Sequence, residues 1–268
     1  MPIDFSAYPA VLLDLDGTLF HDALPLPGAI ALVHRLQRER IRFACLTNSG
    51  SSPSNVKQRM DAVGIHLDPD CIYTAATAAC DYIRNNLPRS GPARKPRVYH
   101  LAGESCAQLL QDWVDWVEQP DEPCDAILVA SLDNPAVTPA RLFTALQLAR
   151  RGAEIIGLCA DRVYPSPRGM EFGAGAVTSM LSYAAQVDPI FCGKPESRFF
   201  AELCQRIQVA PPGCLLIGDN LESDIVGAKR VGMRTILTLT GVSRQSDVDA
   251  AAPQQRPDLV IADLTMLL

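Results

Sequence analysis

The stretch Val11-Leu12-Leu13-Asp14-Leu15-Asp16-Gly17-Thr18-Leu19 constrains this chain more than any other. An apolar run fit for a buried strand stops at two carboxylates one residue apart, and a glycine follows. Unpaired charge is very costly to bury, so carboxylates at the end of such a strand need compensation. A hard divalent cation is the usual one, because Mg²⁺ prefers oxygen ligands and often takes only one or two carboxylates from a protein. The alternative is a strand end with exposed Asp residues in a turn, where Asp is favoured. Other segments bear on the choice.

The chain alternates strand-like and helix-like segments, the mark of α/β architecture. Ala29, Leu32, Val33 and Leu36 recur at helical spacing, 41–46 is the next expected strand, and Val56, Met60 and Val63 mark a helix that Gly64 would stop. A further helix is expected over 74–87. Pro88 to Pro96 is rich in breakers and predicts a loop or domain seam. Beyond it the alternation restarts, with strands expected at 98–101, 126–130 and 154–158 and helices at 105–117, 139–151 and 174–186. Asp14, Thr47, Lys194 and Asp219 each fall just past the carboxyl end of an expected strand. Ligands of open parallel α/β sheets bind outside those ends, so the four are expected to converge on one crevice.

Length and composition narrow the partners. A chain of 268 residues makes one large or two modest domains. A formal net charge of −6 argues against nucleic acid as the main partner. No apolar run approaches the ~20 residues of a membrane span, and no basic stretch leads into an apolar one as in a secretory signal. The nine Cys are scattered without a C-x-x-C pair, and Cys45, Cys192 and Cys214 sit in apolar runs. That pattern predicts buried thiols in a reducing cytoplasm.

Four segments, in order, resemble the motifs of the haloacid dehalogenase (HAD) superfamily of phosphohydrolases: Asp14-Leu15-Asp16-Gly17-Thr18, Leu46-Thr47-Asn48-Ser49, Gly193-Lys194-Pro195, and Gly218-Asp219-Asn220-Leu221-Glu222-Ser223-Asp224. Their spacing is similar to that of class IIA, the NagD-like and 4-nitrophenylphosphatase-like subgroup with a large cap between the second and third motifs. The tail from Pro257 to Leu264 also resembles that subgroup. The chain departs from the pattern at Ser49, usually Asn, and at Leu158-Cys159-Ala160-Asp161 and Phe172-Gly173-Ala174-Gly175, where the cap usually reads Thr-Asn-x-Asp and Pro-Gly-x-Gly.

The resemblance implies a doubly wound, Rossmann-like parallel-sheet core over 1–75 and 190–268, with an inserted α/β cap of the C2 type over 76–189. It implies a Mg²⁺-dependent phosphatase of small phosphorylated metabolites. Asp14 becomes the nucleophile that forms an aspartyl-phosphate. Asp16 protonates the leaving oxygen and then deprotonates water, while its main-chain carbonyl touches the metal. Mg²⁺ bridges Asp14, the phosphate and Asp219. Asp224 holds the metal or a water on it, the alternative being a helix cap. Thr47, Asn48 and Ser49 offer hydroxyl and amide groups to the phosphate, Lys194 offsets the charge, and Gly17 and Gly218 let the backbone approach. Arg162 and Arg168, in the cap loop 161–171, would hold a second anionic group of the substrate, or else be solvated surface arginines. The subgroup also hints at a homodimer through the cap. A catalytically idle metabolite-binding regulator and a phosphotransferase to an acceptor other than water are the alternatives.

Other signals carry less. Gly103-Glu104-Ser105-Cys106-Ala107 mimics a nucleophile elbow without its closing glycine, and all four His precede Ser105; Ser105 is expected to cap a helix. Gly173-Ala174-Gly175 lacks the third glycine of a dinucleotide fingerprint. Trp113 and Trp116, three apart on the expected helix, predict packing rather than ligand stacking.

Overall fold

The computed structural model describes residues 3–87, 95–166 and 168–268. In chain order the elements are β1 (Val11–Asp14), β2 (Phe20–His21), β3 (Leu24–Pro25), α1 (Ala29–Arg38), β4 (Phe43–Thr47), α2 (Pro53–Ala62) and β5 (Ile72–Thr74). Then come α3 (Ala75–Asn86), β6 (Arg97–Leu101), α4 (Glu104–Gln108), β7 (Asp115–Trp116), β8 (Ala126–Val129), α5 (Pro139–Arg150), β9 (Glu154–Gly157), β10 (Val163–Ser166), β11 (Gly169–Phe172), α6 (Ala174–Ala185) and β12 (Pro189–Phe191). The last stretch holds α7 (Ser197–Arg206), β13 (Leu215–Gly218), α8 (Val226–Arg230), β14 (Arg234–Thr238), α9 (Gln245–Ala250) and β15 (Leu259–Ile261). The chain forms two compact units, one of Met1–Thr47, Pro53–Tyr73 and Lys194–Leu268, the other of Asn48–Ser52 and Thr74–Gly193.

A six-stranded sheet in the order β15-β14-β13-β1-β4-β5 runs through the first unit. Strand β1 pairs in parallel with both β4 and β13, Val11 lying opposite Phe43 and Leu215. All four β1 residues are buried, which is why its apolar run is continuous rather than alternating. From β1 the sheet grows one way through β4 and β5 and the other way through β13, β14 and β15. Right-handed crossovers in opposite directions wind helices onto both faces. They also leave a crevice where the order reverses, at the carboxyl ends of β1 and β13.

Helix α1 shows the local logic. Its buried residues are Ala29, Leu32, Val33 and Leu36, one stripe at helical period. It starts after Gly28 at φ +83°, where a Cβ would come 2.5 Å from the Thr265 amide nitrogen, so the tight approach to the chain's last turn requires glycine. Arg35 leaves the last turn and donates from Nη1 to Leu267 O at 2.6 Å and from Nη2 to Ile3 O at 2.9 Å. Its guanidinium also lies 4.9 Å from the centre of the Phe5 ring. One side chain thereby fastens both ends of the chain to the first helix.

The second unit has its own five-stranded sheet, β12-β9-β8-β6-β7, in which every pairing is parallel. Tyr99, Ile127, Val129 and Ile155 on its strands pack with Leu148 of α5 and with Val177 and Leu181 of α6. Thr74 caps α3 by accepting from the Thr77 amide at 3.1 Å, and Thr138 caps α5 with Pro139 at its first position.

Several expectations are corrected. The helix expected over 105–117 ends at Gln108, and Asp115–Trp116 is an edge strand beside β6. Leu110, Val114 and Val117 are buried at a spacing that also suits a helix, but the open edge of β6 takes up their backbone: the Asp115 and Val117 amides donate to Pro96 O and Val98 O. Trp113 therefore sits in a turn under the Arg84 guanidinium, and Trp116 packs edge-on against His100. Gly103, not Ser105, caps α4. The 161–171 loop is a hairpin of β10 and β11, with Pro167 outside the described residues, as are residues 88–94 of the expected seam. Strand β12, placed by the sequence reading partly after a boundary at 190, pairs with β9 in the second unit. Among the described residues no helix is long and apolar enough to cross a membrane.

Replacing Arg35 by Ala is expected to lower the unfolding free energy by about 1–3 kcal/mol, since two carbonyls lose a charged donor. Arg38→Ala, whose side chain is 73% exposed, should change it by less than about 0.5 kcal/mol. Urea titrations at unchanged slope measure both.

Candidate active site

Strand β1 ends on Asp14, and the chain reverses at once. The Thr18, Leu19 and Phe20 amides all point at Leu15 O, at 3.2, 2.8 and 3.2 Å. Gly17 turns with φ +87°, and a Cβ there would lie 2.6 Å from Asp219 Oδ2. Strand β13 ends next to β1 and delivers Asp219. A π-helical turn, Leu221–Ile225, follows, capped by the Asn220 side chain on the Glu222 and Ser223 amides. This wide turn, a geometry frequent at functional sites, brings the fully buried Asp224 back toward the strand ends. Lys194 opens the last segment of the first unit, following β12 of the other sheet rather than a strand of its own.

These side chains meet. Lys194 Nζ lies 2.5 Å from Asp14 Oδ1 and 2.6 Å from Asp224 Oδ1. Carboxylate oxygens of Asp14, Asp219 and Asp224 all fall within 4.8 Å of one another, and all three residues are buried. Thr18 Oγ1 stands 3.1 Å from Asp14 Oδ2 and 3.4 Å from Asp219 Oδ1, so its single proton serves one of them at a time. The Val242 amide donates to Asp219 Oδ2 at 2.6 Å, and the Asn220 amide to Asp224 Oδ2 at 3.1 Å.

Three carboxylates face one ammonium. Burial pushes the Asp14 carboxyl well above the usual range, and the neighbouring Asp224 and Asp219 add to it against the pull of Lys194. Asp219 is pushed up to about 6 by burial and by Asp224, with the Val242 amide opposing. Burial alone would lower Lys194, but its two carboxylate partners outweigh it and hold it above the ordinary lysine value. An excess of buried negative charge, held by oxygen donors alone, fits a hard divalent cation. Asp14, Asp219 and Asp224 are the residues that could hold one.

The remaining candidates lie as follows. Thr47, 4% exposed, ends β4, the strand beside β1. The Asp16 carboxylate is outside the acidic cluster and is ion-paired with Arg59. In the second unit, Asn48 Nδ2 donates to Asp161 Oδ2 at 2.8 Å, and Ser49 accepts the Ser51 amide at Oγ. Arg162 is exposed. Arg168 stands at the hairpin turn, 78% exposed and paired with Glu171 at 2.7 Å.

Sequence reasoning passed over Thr18 and the segment after β14. A Cβ on Gly241 would come 1.9 Å from Asp219 Oδ2, and Ser243 accepts the Leu221 amide at 2.8 Å. The one signal for it in the sequence is an apolar strand halting at Thr240-Gly241.

Two family models match: a haloacid dehalogenase-like hydrolase over residues 11–113 and a HAD-hydrolase-like model over residues 191–267. An acid sugar phosphatase of Staphylococcus epidermidis is 30% identical over 244 residues, 91% of either chain. The magnesium complex of a glycerol phosphate phosphatase from Mycobacterium tuberculosis superposes with a TM-score of 0.87 at 27% identity, over 100% of this chain and 79% of that one. NagD of Escherichia coli shares the fold, with a TM-score of 0.83 at 24% identity over 96% and 97%. The sequence, the sheet order and the matches agree that this chain belongs to the haloacid dehalogenase-like hydrolases, among their phosphatases.

Proposed function

We propose that the protein is a Mg²⁺-dependent phosphatase that hydrolyses a small phosphorylated metabolite through an aspartyl-phosphate on Asp14. The observation that carries this reading is the buried Asp14–Asp219–Asp224 cluster with Lys194 bridging two of its members. Relatives named for sugar phosphates and glycerol phosphate support a small ester as substrate. Nine free cysteines support a reducing, cytoplasmic setting.

Asp14, Asp219 and Asp224 would hold the ion, with the main-chain carbonyl of Asp16 beside them. When bound, Mg²⁺ supplies charge neutralisation and a template for the phosphoryl oxygens. Asp14 attacks phosphorus while Asp16 hands a proton to the leaving oxygen. Water then attacks the phosphorus, giving a proton to Asp16 and freeing Asp14. Lys194 favours the ionised form of Asp14 against the effect of burial and orients it by its 2.5 Å contact. The Thr47 hydroxyl and the amides near Gly17, Asn48 and Ser49 are assigned to the phosphoryl oxygens. Arg162 and Arg168 are assigned to choosing among acidic and neutral esters. That assignment fails for Arg168 if Arg168→Ala leaves this preference unchanged.

Asp14→Asn is expected to reduce phosphate release from a panel of sugar and glycerol phosphates by roughly 10³-fold or more, and chelator should stop the wild type until Mg²⁺ is restored. Release that survives Asp14→Asn would overturn the covalent route. Mg²⁺ should also raise the melting temperature of the wild type, by the linkage between binding and folding. Lys194→Met, which strands two buried carboxylates, should cost about 3–5 kcal/mol without metal, and Mg²⁺ should restore part of it. Calorimetry with and without chelator reads both.

A further inference from the structure

Resting on the phosphatase reading above, we propose that Arg59 is a positioning residue for Asp16. It fixes the carboxylate by one oxygen so that the other is aimed for proton transfer.

The pair is built on the turn after β1. The Gly17 amide donates to Phe20 O at 2.8 Å, and Asp16 and Phe20 form a bridge pair. The turn thus pairs the backbone of Phe20, a fully buried residue, with that of Asp16. Helix α2 brings Arg59 to the same place. Its neighbours Val56 and Met60 are buried and anchor the helix. The Arg59 guanidinium lies 5.1 Å from the Phe20 ring centre, and its Nη2 donates to Asp16 Oδ1 at 2.6 Å. A guanidinium held against an aromatic face is a fixed donor rather than a swinging one.

Stability does not explain the pair. Arg59 and Asp16 side chains are 43% and 50% exposed, and ion pairs that open to water contribute about 0–1 kcal/mol. What the contact fixes is direction. A half-exposed aspartate has several staggered rotamers within reach, and general acid–base work needs one, because small misplacements of a reacting group cost rate steeply. In the first step the bond from phosphorus to the leaving oxygen breaks as the bond to Asp14 forms, and the leaving oxygen takes the Asp16 proton. In the second step water supplies the oxygen that displaces Asp14, and its proton returns to Asp16. Arg59 exchanges no proton in either step. It occupies Oδ1 and leaves the proton to Oδ2.

The test is leaving-group dependence. An alkoxide needs the proton, whereas p-nitrophenolate departs as a stable anion and hardly does. In the Mg²⁺-loaded enzyme, kcat of Arg59→Ala is expected to fall roughly tenfold on glycerol phosphate and less than about threefold on p-nitrophenyl phosphate, with KM little changed. Arg59→Lys, which keeps the charge and loses the fork, should recover part of the glycerol phosphate rate. Melting temperatures should stay within about 2 °C of the wild type. Should Arg59→Ala melt much lower, Arg59→Gln, which keeps the stem against Phe20, carries the same comparison. Equal losses on the two esters, or no loss on either, overturn the proposal. A wild type that releases no phosphate, or an Asp14→Asn variant that still does, would instead sink the phosphatase reading itself.

Discussion

The contact on which the rest of this structure depends is the Lys194 ammonium between Asp14 and Asp224. It joins residues 180 positions apart in sequence at a site closed to water. In that setting a lone carboxylate would lose its charge or unfold its surroundings, and removing one partner of such a set strands the other. The neighbouring features follow from this need. Glycines at 17, 218 and 241 clear room for carboxylate atoms. The amides of Asn220 and Val242 and the hydroxyl of Thr18 supply donors. One lysine against three carboxylates leaves the set short of positive charge, which a doubly charged ion would supply.

Fold and chemistry are tied through the sheet order. A doubly wound sheet has one place where neighbouring strands lead off in opposite directions, and here it lies between β1 and β13. Asp14 and Asp219 are the residues at the ends of those two strands. Asp224 needs one device more, the π-helical turn that reaches back over Gly218. Position within the sheet therefore selects the acidic residues that can meet, and many other Asp and Glu residues of the chain remain on the surface.

Much of this was legible in the sequence because its causes are local. Buried parallel strands are continuous apolar runs, so β1, β4 and β13 stood out, each ending at a polar residue with chemistry to do. Helix α1 was legible from its single stripe. What could not be read depends on distant neighbours. The stretch after Gln108 has helical spacing, yet the unpaired edge of β6 makes Asp115–Trp116 a strand. Strand β12 belongs to the second sheet because β9 is its partner, a fact absent from Ile190-Phe191-Cys192 itself. The Asn48–Asp161 and Arg59–Asp16 contacts join residues whose spacing suggests nothing.

The interrupted course of the first unit has a consequence for how the protein is made. Thr74–Gly193 is contiguous but for one short segment that precedes it, Asn48–Ser52. On a ribosome this unit can close while the first is still missing three of its strands, as domains emerging early generally fold first. The first unit must wait: β1 has no partner on one side until β13 is made. Arg35 cannot tie down the far end until Leu267 has emerged. The acidic cluster is likewise incomplete until Asp224 leaves the exit tunnel. A nascent chain of this protein therefore carries a nearly finished insert long before it carries an active site.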